Sequence, residues 1–423
     1  MEPSLSPTLQ SLLQKIDGYH DEAIELQKQM TAIPALSPEN GGDGEKIKSD
    51  FLREWVEREL RPDDLQEFHA PDSRVSCGYR PNLVATFNGR SSAKTIWIMS
   101  HMDVVPPGDL SKWTGDPWVV RVEKTKDGRT KLIGRGVEDN QQGLASSVFA
   151  VKALRDLNIT PEHNVGIVLV ADEETGSHYG IDYLLKQHKD LFAPHDLIII
   201  PDAGDSKGKM IEVAEKSIVW LKFHTRGVQT HGSVPEKGRN AHKAASFMVT
   251  RMETLYKKFP RRNALFHPPI STFEPTKREA NVPNVNTIPG EDVLYFDCRV
   301  LPDYKVSEVM KAIRAITREI EKQFKVKITV SPQQVNEQAA PPTAPDAPVV
   351  LAIAKAMREL RRVRTQAVGI GGGTVAAFFR RAGIPAAVWS TMEDTAHSPD
   401  EFALVEHLLN DAKVFGHVVM QEG

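Results

Sequence analysis

The stretch "IWIMSHMDVVPPGD", Ile96 to Asp109, ends a β-like apolar run in a His and an Asp two residues apart, and a Pro-Pro-Gly turn follows. In a strand, residues i and i+2 point to one face, so His101 and Asp103 would emerge together where strand gives way to loop. Four other stretches place acid or imidazole groups at strand or loop ends. They are Asp139 in "GRGVEDNQQG", Glu173 and Glu174 in "VLVADEETGS", Asp202 in "IIIPDAGD" and His397 in "MEDTAHSPDE". Each alone has an ordinary explanation. Asp139 could cap the helix pattern that starts after it, Asp202 could serve a turn, adjacent glutamates commonly face water, and a lone His is more often structural than a ligand.

The set carries more than its members. Three of the stretches follow "IWIM", "GIVLV" and "LIIIP", runs as apolar as the buried strands of a covered sheet. Carboxylates gathered at the ends of neighbouring buried strands repel one another and resist ionisation unless a cation sits among them. Two His with several Asp or Glu suit zinc, and a carboxylate shared by two ions suits a two-metal hydrolase. The only cysteines, Cys77 and Cys298, are isolated and cannot build a thiolate zinc site. Any metal must rest on His and carboxylates.

The elements that position these groups alternate. A helix-like opening, roughly Leu9 to Thr31, is followed by a Pro-, Gly- and Asn-rich loop and an amphipathic stretch from Gly44 to Leu60. Strand and helix signals then take turns: "LVATF", "IWIMSHMD", the helix "QGLASSVFAVKALRDL", "NVGIVLVADEE", the helix "GIDYLLKQH" and "DLIIIPDAG". This order predicts an α/β layered sheet, whose functional residues gather at the C-terminal strand ends. Near Lys216 the pattern changes. "SIVWLKFHTRG", "NAHKAASFMVTRMETLYKKF", "DVLYFDCRVLP", "KVSEVMKAIRAITREIEKQF" and "KVKITVS" predict a small inserted α+β domain with helices on one face of an antiparallel sheet. "SPQQVNEQAAPPTAPDAP" reads as a connection, after which the helix and strand alternation resumes. The expected division is a catalytic domain over 1–215 and 331–423, interrupted by a lid over 216–330.

A chain of 423 residues favours two domains. Its formal net charge of -3, from 53 basic and 56 acidic residues, and its lack of a basic run argue against nucleic acid as a partner. No uncharged apolar stretch approaches the ~20 residues that span a bilayer. The N-terminus does not read as a signal peptide, and two scattered cysteines fit reduced thiols, so a cytoplasmic location is expected.

The ordered set "SHMDVVPPGD", "GRGVEDNQQG", "ADEETGS", "DAG", "HGSVPEKGRNA" and "AHSPDE" resembles the dinuclear zinc amidohydrolases and exopeptidases. That family includes succinyl-diaminopimelate desuccinylases, acetylornithine deacetylases, aminoacylases and related carboxypeptidases. The resemblance runs from about Asn82 to the C-terminus and includes the lid. It implies a zinc-exopeptidase-like α/β/α sandwich with a ferredoxin-like lid that also dimerises the protein. It further implies two zinc ions per chain, with cobalt or manganese as substitutes: His101 and Asp202 on one, Glu174 and His397 on the other, and Asp139 bridging. Asp103 would accept a hydrogen bond from the far nitrogen of His101. Glu173 would be the general base, taking a proton from a water between the metals and returning it to the leaving amine. His231 would act as an oxyanion donor across a homodimer interface. Arg299 and Asn286 would hold a substrate carboxylate and the scissile region, and Gly373 and Thr374 of "GIGGGT" would line the substrate pocket. That loop lacks the Lys-Ser/Thr ending of a phosphate-binding loop.

Two departures bear on substrate. "VEDNQQG" replaces the commoner "DMKG"-like sequence, keeping Asp139 and losing a Lys. Glu393 stands where an Asn is expected, an acid that would favour a cationic group. "EVAEKSIVWLKFHTRG" resembles chains called succinyl-diaminopimelate desuccinylases, so an N-acyl amino acid is the expected substrate. The alternatives are a dipeptidase or carboxypeptidase of the same family and, from another class, a catalytically silent metabolite-binding relative. Loss of Glu173 or of a ligand would mark the silent relative, and all are present.

Overall fold

The apolar runs that end in candidate ligands form neighbouring parallel strands. The computed structural model describes residues 5–333 and 338–421, which fall into two compact units. Among the described residues the first comprises 5–213, 343–367 and 378–421. Its frame is an eight-stranded mixed sheet in the order Asp64–Pro71, Tyr79–Phe87, His163–Val170, Ser91–His101, Leu197–Gly204, Ala386–Ser390, Met210–Glu215 and Gln366–Ile370. Ser91–His101 pairs in parallel with His163–Val170 on one side and Leu197–Gly204 on the other, and Leu197–Gly204 pairs in parallel with Ala386–Ser390. Four strands therefore end on the same side of the sheet. His101 and Asp202 stand at these strand ends, and the loops leaving the other two carry Glu173 with Glu174 and His397.

The helix Gln141–Asp156 lies against this sheet and is buried almost throughout. Its close approach depends on one glycine: a Cβ on Gly143 would sit 2.3 Å from the Pro201 carbonyl oxygen. Asp139 enters just before this helix, so the packing of Gly143 against the Leu197–Gly204 strand sets the Asp139 loop beside Asp202. The α/β architecture expected from the alternation is the observed one. Among the described residues no helix is long and apolar enough to cross a membrane.

Among the described residues the second unit comprises 214–333, 338–342 and 368–377. Its antiparallel sheet runs Thr272–Arg278, Glu291–Val300, Ser217–Arg226, Lys327–Pro332. Leu294, Phe296, Cys298 and Val300 alternate inward along one strand, and the helices Ala241–Met252 and Val306–Phe324 pack against the sheet. Val309, Ile313, Ile316 and Ile320 give the longer helix its buried stripe.

This unit is larger than the expected 216–330. Gln338 and Ala339, in the predicted connection, bond back to it: the Gln338 amide donates to the Tyr304 carbonyl at 3.1 Å, and the Ala339 N–H donates to the Ser217 hydroxyl at 2.8 Å. Positions 334–337 of that connection lie outside the described residues. The glycine-rich loop also belongs here. Lys216 N–H donates to the Ile370 carbonyl at 3.1 Å, and the Thr374 hydroxyl donates to Glu215 at 2.6 Å. A chain that leaves the first unit for ten residues to complete the second carries no compositional mark.

Candidate metal centre

His101 closes the Ser91–His101 strand with its ring almost fully buried. Its Nδ1 lies 3.0 Å from the backbone carbonyl of Asp103, which can only accept, so Nδ1 carries a proton and Nε2 is the ring nitrogen left for another partner. That Nε2 is 3.0 Å from Asp139 Oδ1 and 3.5 Å from Asp202 Oδ1. His397 Nε2 is 3.2 Å from Asp139 Oδ2 and 3.1 Å from Glu174 Oε2. Asp139 thus stands between the two imidazoles, one oxygen toward each. Donor atoms of His101, Glu173 and Asp202 lie within 4.8 Å of one another, as do those of His101, Asp139 and Glu174.

Asp103 does more than expected and does it differently. The carbonyl, rather than the carboxylate, is its nearer contact to His101; its Oδ1 is 3.4 Å from Nδ1. The carboxylate caps the turn that carries the two glutamates, accepting from Glu173 N–H at 3.1 Å and Glu174 N–H at 3.0 Å. Those glutamates occupy a 3-10 turn, Glu173–Thr175. Asn140 was not singled out in the sequence. Its side-chain amide donates to Asp202 Oδ1 at 2.6 Å and to the Pro201 carbonyl at 2.7 Å, fixing the Asp202 carboxylate. The only signal for it was its place next to Asp139.

The donor set fits divalent cations. Burial, then neighbouring Asp202, pushes the Glu173 carboxyl well above the ordinary range. Burial, then Asp139, pushes Glu174 up to about 7, and burial likewise raises Asp202. Asp139 would also rise by burial, yet hydrogen bonds to His101 and His397 hold it low. Glu174 Oε1 is buried with no hydrogen-bond partner. Crowded buried carboxylates gathered around two imidazoles, one with an orphaned oxygen, are an arrangement a positive ion relieves.

The other predicted residues lie on the second unit. His231 pairs with Thr287 in a short ladder, and Gly232 N–H donates to the Asn286 carbonyl at 2.6 Å, which brings His231 and Asn286 together. The Ser233 N–H donates to His231 Nδ1 at 3.2 Å, so the exposed ring carries its proton on Nε2. Arg299 is engaged: its fork donates to Asp297 at 2.7 and 2.9 Å and to the Gly371 carbonyl at 2.7 Å. It therefore tethers the loop that carries Gly373 and Thr374. On the first unit, Glu393 Oε1 is 3.7 Å from both Arg129 and His407, so this acid has a cation of its own.

The family described as Peptidase family M20/M25/M40 matches residues 97–421. An uncharacterized metallohydrolase of Methanococcus maripaludis is 39% identical, covering 93% of this chain and 98% of its own length. A succinyl-diaminopimelate desuccinylase of Sulfurovum sp. is 26% identical, covering 86% of this chain and 95% of its own. The solved structure of human carnosine dipeptidase 1 matches with a TM-score of 0.73 at 18% identity over 99% of both chains, a likeness of fold.

Proposed function

The chain belongs to peptidase family M20/M25/M40 and is a metal-dependent hydrolase of amide or peptide bonds; from that premise we propose that it releases the amine from an N-acyl amino acid, most like succinyl-diaminopimelate. The single observation that carries the reading is the convergence of His101, Asp139, Glu174, Asp202 and His397, with Glu173 beside them. We assign His101 and Asp202 to one ion, Glu174 and His397 to the other, and Asp139 to both, with zinc as the metal and cobalt or manganese as substitutes. Bound there, two divalent ions would polarise the scissile carbonyl and acidify a water.

The protein's own groups supply the rest. Asp103 holds the His101 tautomer through its carbonyl and the Glu173–Glu174 turn through its carboxylate. Glu173, anchored by that cap, takes a proton from the attacking water at its carboxylate and delivers it to the leaving nitrogen. His231 donates from Nε2–H to the developing oxyanion, supplied by a second copy in a homodimer built through the second unit. Its exposed Nε2–H supports that role. Asn286 and the loop of Gly373 and Thr374 line the substrate's path, and Arg299 meets a substrate carboxylate by exchanging Asp297 for it. Cys77 and Cys298 are both free thiols, which supports a cytoplasmic setting.

The test is amine release from N-succinyl, N-acetyl and dipeptide substrates, with zinc or cobalt added and then chelated. Chelator-sensitive release from N-acyl amino acids is expected. Release from dipeptides alone would move the assignment to a dipeptidase, and metal uptake without release from any substrate would favour the silent relative.

A further inference from the structure

Two buried carboxylates are exchanged between the loop that carries Asp139 and the loop that carries His397. Glu138, beside Asp139, accepts through Oε1 from the Glu393 N–H at 2.5 Å and through Oε2 from the Thr395 N–H at 2.6 Å, with the Thr395 hydroxyl 2.8 Å away. In return Glu401, four residues after His397, accepts from the Glu138 and Asp139 N–H groups at 3.0 and 3.1 Å and from the Gly136 N–H at 3.1 Å. Arg135 answers its charge at 2.6 Å. Both acids are about fully buried, at 1% and 0% exposure.

The loop they grip does not hold its own shape. Asp394, His397 and Asp400 all have left-handed backbone, at φ of 60°, 63° and 54°. Non-glycine residues stay there only where the surroundings over-determine them. Glu138 is an odd choice for packing alone. Among the described residues it has no ion-pair partner, and an unpaired buried acid is costly unless its hydrogen bonds are needed.

We propose that Glu138 and Glu401 form a reciprocal clamp that sets the spacing of Asp139 and His397, and that Glu138 is a positioning residue for the Glu174–His397 half of the metal centre. The inference rests on the ligand assignment above. Without Glu138, the Glu393 and Thr395 N–H groups lose their acceptor and the Thr395 hydroxyl keeps only the Phe402 carbonyl, so the loop relaxes, which moves His397 from Asp139. His101 and Asp202 are held by other contacts, through Asp103 and Asn140. The two halves of the site should respond differently.

The experiment is calorimetric titration of the metal-free full chain with zinc, for wild type and Glu138→Ala, with melting curves alongside. Wild type is expected to take two ions, and Glu138→Ala to keep one affinity unchanged while the other weakens about 10- to 100-fold, the usual effect of losing a group that orients a ligand. Glu138→Gln, which keeps one acceptor oxygen, should fall between. If Glu138→Ala does not fold, Thr395→Ala carries the test, since it removes one donor of the clamp and should weaken the same single site. Two unchanged affinities, or two that weaken equally, would overturn the clamp while leaving the metal centre intact. No uptake by wild type would overturn the ligand assignment itself and the clamp with it.

Discussion

At the scale of single residues, what separates Glu173 from its neighbour is the company each keeps. Glu174 lies 3.1 Å from His397 and has an orphaned buried oxygen, the marks of a ligand. Glu173 falls instead with His101 and Asp202 and has no imidazole ion pair like that of Glu174 with His397, while Asp103 holds both glutamates alike through their backbone. Glu173→Gln preserves the shape and the Asp103 cap but removes the base. It should retain both metals by elemental analysis and lose about 10²- to 10⁴-fold in turnover, the ordinary worth of a positioned general base. Loss of metal along with activity would make Glu173 a ligand instead. The candidate ligands and this acid were legible in the sequence because chemistry restricts residue type: His and carboxylates at the ends of apolar runs are few. Asn140 and the carboxylate role of Asp103 were not, because both act through hydrogen bonds to backbone or to a neighbour's side chain, and any of several residue types could have done so.

Elements explain why the residues converge. Strands as apolar as "IWIM" and "LIIIP" must be covered on both faces, and parallel pairing puts their C-terminal ends on one side of the sheet. That much follows from the alternation of runs. The closeness of the Asp139 loop to Asp202 follows instead from a contact no pattern reveals, the seating of Gly143 on Pro201. The "GIGGGT" stretch begins as the end of the Gln366–Ile370 strand and belongs with the second unit, which no pattern marks, because the bonds that carry it, from Lys216 and to Glu215, run to residues remote in sequence. Gly143→Ala tests the seating. Its Cβ would meet backbone at 2.3 Å, so helix and strand must part. The cost should be about 1–3 kcal/mol, as for other overpacked sites. It should appear as a lower Tm together with weaker metal binding. A lower Tm with unchanged metal affinity would show that the helix can shift without moving Asp139.

At the scale of the whole molecule, all the proposed ligands belong to one unit, and among the described residues the clustered groups draw no His or carboxylate from the second. Without cations, the first unit must hold Glu173, Glu174 and Asp202 together against burial and mutual repulsion, each with its carboxyl raised. An ion that binds only the folded form adds about 2.7 kcal/mol of stability at a hundredfold excess over its Kd. Chelation should therefore lower the stability of one unit selectively. Hydrogen exchange read by mass spectrometry, with and without excess zinc, should show protection gained in peptides spanning 99–104, 137–143, 171–177, 200–205 and 393–401. Peptides from the 217–226, 291–300 and 306–324 elements should exchange alike in both states, because their bonds close within the second unit. Uniform protection across both sets would mean that metal binding is felt through the entire chain, and that the second unit's order depends on the site as well. Protection in neither set would remove the metal from the stability of this fold and return the carboxylate cluster to an unexplained electrostatic cost.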